Sequence, residues 1–313
     1  MRIRQALAAG LLAMTPALTG CLVHTHSVLK TRPPDVVLNA GLDDLLKQVD
    51  ARFDAIHSMT TEVRVATSTG GSAKGEVTEY FAVKGYIIIG KPQQIRVFLE
   101  LPYGAGQILD MVSDGKTFQM LIPHKNCMIV GSDQVTNASQ KGLYSLRPSA
   151  ILDPLLIAGL RPGQVVSMTQ DSRTLPDPKN RKGLIEEPDY DIEFLSQPKG
   201  EVASTLRVLH ISRANLLPWR LDIYNADGKI ETQASYSSYQ KFGDIDFPTK
   251  IVIQRPLDEL GLTITITRAN FNQKLPDDQF KLDLPDGVAT QDMDDPASAS
   301  TAPCVAHAPQ SKH

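Results

Sequence analysis

The stretch GYIIIGKPQQIRVFLELPYGAGQILDMVSDGKTFQMLIPHKNCMIV, residues 85–130, decides the fold class of this chain. From Ile95 to Leu101 every second residue is aliphatic, and this period of two is typical of a β-strand with one buried face. Asp114-Gly115 separates two apolar runs and predicts a tight hairpin turn. The stretch therefore predicts consecutive antiparallel strands.

The same alternation recurs further along the chain, for example over residues 262–267, and Asp227-Gly228 marks another hairpin. About 11 strands are predicted, at the even spacing of a sandwich or barrel. Apolar residues at helical spacing predict an amphipathic helix of about 17 residues beginning near Gly41, and a strongly apolar second helix over residues 143–160. The predicted fold class is mainly β (α+β), with a curved antiparallel sheet that two helices cover only in part.

The N-terminus carries Arg2 and Arg4, then a short apolar stretch that ends in LTGC, residues 18–21. This order is typical of a secretory signal, and the apolar part is shorter than the roughly 20 residues of a membrane span. LTGC resembles the lipobox of bacterial lipoproteins. The resemblance implies cleavage before Cys21 and a covalent diacylglycerol and N-acyl group on Cys21, with no other cofactor. The alternative is a plain secreted protein with an accidental cysteine.

The composition divides the chain into four parts. Residues 1–20 are the predicted lipoprotein signal peptide, 21–40 a tether, and 41–285 the folded domain. Residues 286–313 are rich in Asp, Ala, Ser and Pro and predict a disordered tail. Within the domain, the polar segment 171–187 predicts a long surface loop.

Charge and motifs exclude several functions. The net charge is −3, and the chain has no long basic run of the kind that binds nucleic acid. No nucleophile elbow, phosphate-binding loop or dinucleotide fingerprint is visible, so we expect no enzyme. His24-x-His26 has a spacing that could bind a metal, but it lies in the tether without acidic or cysteine partners, so we expect no metal. His57, His124 and His210 are isolated in the sequence and predict structural roles. A disulfide between Cys127 and Cys304 is one option in an oxidising compartment.

A curved sheet with only two helices leaves part of its apolar concave face open. Such apolar concavities are usually binding sites. An acyl chain of about 16 carbons would gain on the order of 10 kcal/mol there, before the costs of binding. The alternative is that side chains fill the concavity completely and nothing binds.

Three segments resemble the lipoprotein-localisation superfamily of LolA/LolB-like proteins. The first is residues 85–130, with Lys91-Pro92, Arg96 and the SDGK turn at 113–116 in the family's order. The others are residues 219–250 and the closing LPDDQF at 275–280. The resemblance implies an unclosed half-barrel whose helices cover an apolar interior that accepts acyl chains.

The resemblance also implies roles for particular residues. The loop with Leu101 and Tyr103 resembles the receptor branch's membrane and cargo-transfer loop, although an ordinary Pro/Gly hairpin is the alternative. Lys91 and Arg96 are the basic residues expected to face the helical lid. Lys91 stands at the position where the carrier branch has an arginine. Because lysine lacks the planar guanidinium with its paired N–H donors, the sequence does not favour carrier-like control of the lid.

The predicted function is a membrane-anchored lipoprotein that binds acyl chains of a lipid or lipoprotein, in lipoprotein sorting or lipid transport to the outer membrane. Expected partners are those acyl chains, the membrane surface reached through the anchor, and a periplasmic carrier protein, but no nucleic acid. The expected location is the outer membrane facing the periplasm, or the outer face of the cell membrane in an organism with one membrane. The alternative function is a structural or regulatory envelope scaffold.

Overall fold

The computed structural model describes residues 30–71, 75–104, 106–133, 146–276, 278–283 and 287–295. The chain divides into two compact units. One contains residues up to 35 together with 173–187, and the other contains residues 36–172 and those from 188 onward. Cys21 and its predicted acylation lie outside the described residues.

The described residues contain two α-helices and sixteen strands. The helices are α1 (Leu42–Asp54) and α2 (Ser149–Leu155). The strands are β1 (Thr31–Arg32), β2 (Ser58–Gly71), β3 (Glu76–Glu79), β4 (Val83–Gly90), β5 (Gln94–Glu100), β6 (Gln107–Ser113), β7 (Thr117–Ile122), β8 (Cys127–Ser132), β9 (Gln164–Asp177), β10 (Asn180–Ser196), β11 (Thr205–Ser212), β12 (Pro218–Tyr224), β13 (Ile230–Phe242), β14 (Ile245–Arg255), β15 (Leu260–Phe271) and β16 (Ala289–Asp292).

The larger unit is built on one curved, unclosed sheet. Its strand order is β10-β11-β12-β13-β14-β15-β2-β4-β5-β6-β7-β8-β16, and β3 pairs with the end of β2. All neighbours along this path are antiparallel except β8 and β16, which run parallel. The two meanders of the sheet meet at a seam between β2 and β15, where Met59 lies opposite Phe271 and Thr69 opposite Leu260.

The fold class is confirmed as mainly β with two helices, but the count of about 11 strands is wrong, because sixteen are present in the described part. Strands β1, β3 and β16 have two to four residues each and are too short to show a period of two. Strand β16 lies in the segment predicted as a disordered tail, where Ala289 pairs with Cys127 of β8.

The hairpin at Asp114 shows how local sequence sets the register of the sheet. One carboxylate oxygen of Asp114 accepts hydrogen bonds from the backbone N–H groups of Lys116 and Thr117, both at 2.8 Å. Gly115 has a φ of +87°, which glycine adopts without strain. The turn joins β6 to β7, and the preceding strand β5 presents Ile95, Val97 and Leu99 to the core, as its alternation predicts.

Helix α1 begins where it is predicted but ends earlier. Asp43 and Asp44 lie in its first turn, where the helix dipole favours negative charge, and Leu45 and Val49 are its fully buried residues. It has 13 residues rather than about 17.

Helix α2 is much shorter than the predicted span of 143–160. It comprises the seven residues Ser149–Leu155, and five of its side chains are buried. Pro154 lies in its last turn, and Gly159 and Pro162 follow, so residues 156–162 run as irregular chain. The apolar residues of this segment therefore cover the core from a short helix and an extended strap.

The smaller unit corrects the prediction of a surface loop at 171–187. Strands β9 and β10 continue into this segment as a hairpin, and β1 adds in parallel with Thr31 opposite Leu184. Arg32 forms two hydrogen bonds with Asp177, at 2.6 and 2.7 Å. Because both faces of this hairpin are polar, its sequence lacks the alternation that marks the other strands.

Candidate functional site

An apolar pocket opens on the helix-covered face of the larger unit. Its volume is about 250 Å³, and its walls come from β2, β4, β5, β6, β15 and the residues around α2. Val97 and Leu99 point into it from β5, Ile264 from β15, and Leu146 and Ile151 from the chain around α2. No charged side chain lines it in the part of the chain that the structure describes. The helices therefore leave part of the concave face uncovered.

Two aromatic residues stand at the mouth of this apolar pocket. Tyr80 and Phe81 both contribute to its lining, yet Phe81 is 98% exposed and Tyr80 52% exposed. Val77, on the neighbouring β3, is also exposed. The sequence analysis did not identify these residues, although three bulky apolar side chains within the polar segment 75–82 were a signal available in the sequence.

The predicted transfer loop lies at the same end of the sheet as this mouth. The end of β5 pairs with the start of β4, since Glu100 lies opposite Lys84. The loop then forms a 3-10 turn at Pro102–Gly104, and Leu101 is exposed. Tyr103 belongs to this turn, but its side chain is outside the described part of the structure.

Lys91 contacts the C-terminal end of α1. Its ammonium group donates a hydrogen bond to the carbonyl oxygen of Phe53 and lies 3.6 Å from the centre of the Phe53 ring. The backbone N–H of Lys91 donates to the carbonyl oxygen of His57 at 3.0 Å. Burial lowers the pKa of Lys91. A positive charge at the C-terminus of a helix is favourable, and so is a cation over an aromatic ring. The ammonium group of Lys91 makes both contacts with Phe53, so a guanidinium is not needed for them.

Arg96 lies on the other face of β5, which corrects the expectation that it faces the lid. Alternation turns Ile95 and Val97 to the core and Arg96 away from it. Its guanidinium makes two hydrogen bonds to the carboxylate of Asp110, at 2.9 and 2.7 Å, and a third to the backbone oxygen of Gln279. Arg96 therefore ties β5 to β6 and to the closing segment of the chain.

His210, on β11, is not isolated as its sequence context suggests. Its Nδ1 lies 2.7 Å from a carboxylate oxygen of Asp191, and its Nε2 lies 3.4 Å from Asp222. Burial lowers the pKa of His210, but hydrogen bonds to both carboxylates outweigh burial and raise the pKa to about 9. Arg220 also pairs with Asp222, so the charges of this cluster are neutralised within it.

Within the described part of the chain, no group of three or more His, Cys, Asp or Glu residues is placed to hold a metal ion. Neither described helix has the length and apolar character of a membrane span. Cys127 is disulfide-bonded, and its partner lies outside the described residues.

The comparisons with known proteins give a partial family match and several similar structures. A family described as an uncharacterized protein matches residues 181–283. No curated protein matches the sequence. The chain is similar to a LolA superfamily protein from Nitrosomonas europaea, with 14% identity, coverage of 76% of this chain and 97% of that chain, and a TM-score of 0.47.

Two further solved structures are similar to the chain. A DUF1329 family protein from Desulfovibrio piger has 15% identity, with coverage of 76% and 95% and a TM-score of 0.48. A domain named for outer membrane lipoprotein sorting, from Vibrio parahaemolyticus, has 8% identity, with coverage of 76% and 95% and a TM-score of 0.46.

Proposed function

We propose that this protein binds acyl chains of a lipid or lipoprotein in the apolar pocket beside β5, and that it acts as a binding protein rather than an enzyme. The observation that carries the proposal is the pocket itself, whose walls are apolar and whose mouth is open at Phe81. Each methylene group that leaves water contributes about 0.8 kcal/mol. An alkyl chain uses such walls fully because it needs no polar partner.

We further propose that the protein works in the bacterial envelope, in lipoprotein sorting or lipid transport to the outer membrane. Acyl groups on Cys21 would hold it to the outer membrane facing the periplasm, where a carrier protein could deliver its cargo. Support comes from LTGC at residues 18–21 and from the family-like segments of the sequence. Two or more acyl chains anchor a protein stably, whereas one does so only marginally.

Lipid binding is tested on the chain carrying Cys21→Ser, so that the protein itself has no attached lipid. We expect organic extraction and mass spectrometry to release acyl lipids, and the emptied protein to take up a fluorescent fatty acid. Ile108→Trp, which fills the apolar pocket from its wall, should weaken uptake at least about tenfold. Val202→Trp is the control, because Val202 is 69% exposed and lies outside this pocket. No extracted lipid together with no uptake would favour a scaffold.

The anchor is tested separately on the unaltered chain expressed in a Gram-negative host. We expect the N-terminal peptide of the membrane-bound protein to begin at Cys21 and to carry the mass of a diacylglycerol and an acyl group. The Cys21→Ser chain should move to the soluble periplasmic fraction. A mature chain that begins elsewhere, or an unmodified Cys21, would contradict the anchor.

We also propose that delivery of the bound ligand to the membrane depends on a rim, which we define as Phe81 at the pocket mouth together with Leu101 and Tyr103 of the neighbouring loop. Tyr103→Asp and Leu101→Asp should each slow delivery of the fluorescent fatty acid to vesicles and leave its uptake unchanged, because neither residue belongs to the described lining of the pocket and the charge opposes contact with lipid. Equal loss of uptake and delivery would argue against a separate transfer role for the rim.

A further inference from the structure

Arg207 places a buried charge on the concave face of the sheet. It lies on β11 on the same side as Leu209 and Ile211, which belong to the core, and it is only 8% exposed. Its guanidinium stacks 3.9 Å from the centre of the Phe194 ring. Charged side chains are rarely buried so completely unless an opposite charge accompanies them.

The hydrogen bonds of Arg207 go to neutral groups only. The guanidinium donates to the backbone carbonyl oxygens of Ala158 and Gly159 and, at 3.4 Å, to the side-chain oxygen of Gln164. Its Nε is buried and has no acceptor within the described residues, and no described carboxylate forms a hydrogen bond with the guanidinium. Since a guanidinium has five N–H donors, two remain without a protein acceptor.

A second arginine lies close to the first. Burial and then the nearby charge of Arg161 lower the pKa of Arg207 to about 10. Arg161 itself is half exposed and pairs with Asp153 at 3.4 Å. The carboxylates of Asp153 and Asp50 act in the opposite direction on the pKa of Arg207, but neither of them forms a hydrogen bond with its guanidinium among the described residues.

Arg207 and Arg161 line a cavity of about 240 Å³. Gln164 adds a polar group to it, whereas Leu221 and Ile223 give it apolar walls. This cavity shares no lining residue with the apolar pocket beside β5. It therefore combines the N–H donors of two arginines and the carboxylate of Asp153 with aliphatic surface.

We propose that this cavity is a second binding site, for an oxyanion carried on an apolar group, such as a carboxylate or a phosphate monoester on an alkyl chain. Arg207 donates to the oxyanion from an N–H group that has no acceptor among the described residues, and a hydrogen bond to a charged group is stronger than one between neutral groups. The alkyl part lies against Leu221 and Ile223. The site goes beyond acyl binding in the apolar pocket, since it selects the charged end of a ligand.

The test is calorimetric titration of the Cys21→Ser chain, freed of lipid, with octanoate, octyl phosphate and 1-octanol. We expect at least one of the two anions to bind about tenfold or more tightly than octanol, because a hydrogen bond to a charged group adds about that much affinity. A preference for octanoate identifies a carboxylate ligand, and a preference for octyl phosphate identifies a phosphate ligand. Equal affinity of all three probes, or no binding of either anion, overturns the proposal.

The variants separate recognition from structural support. Arg207→Gln should reduce the affinity for the preferred anion to that of octanol. Arg255→Gln is the matched control, because Arg255 is equally buried but pairs with Asp258 and Glu231, and it should keep the anion preference. An unchanged preference in Arg207→Gln would mean that Arg207 only holds the strap at residues 158–159, and would overturn the proposal.

A milder variant covers the case in which Arg207→Gln does not fold. Arg161→Gln removes the half-exposed second charge and should weaken anion binding by about twofold to fivefold while octanol binding stays the same. No change in anion affinity in Arg161→Gln would contradict the assignment. Because the two cavities share no lining residue, failure here leaves the fatty-acid uptake test of the apolar pocket unaffected.

Discussion

Strands β5 and β11 lie in the two meanders of one sheet and present opposite chemistry to its concave face. On β5 the core-facing residues are all aliphatic, whereas on β11 one core-facing position holds a guanidinium. These residues are Ile95, Val97 and Leu99 on β5, and Arg207, Leu209 and Ile211 on β11. The two regions show that one inner face can contain an apolar pocket and a buried guanidinium.

The difference has a local cause in the chain that covers each strand. Over β11, the strap at residues 158–159 offers backbone carbonyl oxygens to Arg207. Over β5, the pocket is bounded by aliphatic side chains such as Leu146 and Ile151. The irregular backbone thus supplies acceptors for the charge of Arg207, whereas the described lining of the pocket beside β5 is apolar.

The largest expected effect comes from imposing the chemistry of β11 on β5. Val97→Arg would bury a guanidinium among aliphatic side chains, and we expect the free energy of unfolding to fall by about 3–5 kcal/mol or more. Urea unfolding measures this loss. Glu100→Arg, on the opposite face of β5, is the control and should change stability by only about 0.5 kcal/mol. Similar losses in both variants would show that the apolar wall is not what excludes charge.

The next effect concerns the outer face of β11, where His210 does have acidic partners. Its pKa in the folded state, about 9, lies above the ordinary value of 6.5. The stabilisation from His210 is therefore complete below about pH 6.5 and is lost as the pH rises through 9. We expect the free energy of unfolding to fall by up to about 3 kcal/mol across this window, as urea unfolding at several pH values would measure.

The histidine variants identify the source of that pH dependence. His210→Gln should flatten the curve between pH 6.5 and 9, whereas His124→Gln should leave the curve as it is. A wild-type curve that is already flat in this window, or one that His210→Gln does not change, would contradict the role of the pair with Asp191.

The smallest effect is expected from making β11 resemble β5. Arg207→Met removes a buried charge and keeps most of the side-chain volume, but it leaves the carbonyl oxygens of Ala158 and Gly159 without their donor. These opposing changes should nearly cancel, so we expect the free energy of unfolding to change by within about 1 kcal/mol. A loss of more than about 3 kcal/mol in urea unfolding would mean that Arg207 is chiefly structural.

Much of the fold followed from local pattern. The alternation in β5, the turn at Asp114-Gly115 and the start of α1 are properties of neighbouring residues, so the sequence predicts them. Strand β16 could not be predicted, because its four residues form a strand only by pairing with β8, which lies more than 150 residues earlier in the chain. The turn end of the β9–β10 hairpin, residues 171–187, was predicted as a loop for a related reason, since its sequence is mostly polar and lacks alternation.

The candidate sites were less accessible to sequence reasoning. An apolar groove was predicted from the shortage of helices, but its mouth at Phe81 was not, because exposure depends on the finished fold. Arg207 lies within the run TLRVLHIS, residues 205–212, which gives no sign of the side to which its side chain turns. Its burial and its hydrogen bonds to the carbonyl oxygens of residues 158 and 159 arise only in the tertiary structure.

The seam between β2 and β15 has a consequence for how the protein is made. Residue 59 finds its partner at residue 271, so more than 200 residues must emerge before this pairing can form. Until then the first meander keeps one edge of hydrogen-bonding groups unpaired, and such edges invite pairing with other chains. A chain that is synthesised in order therefore keeps this edge open to other chains until its last long strand has been made.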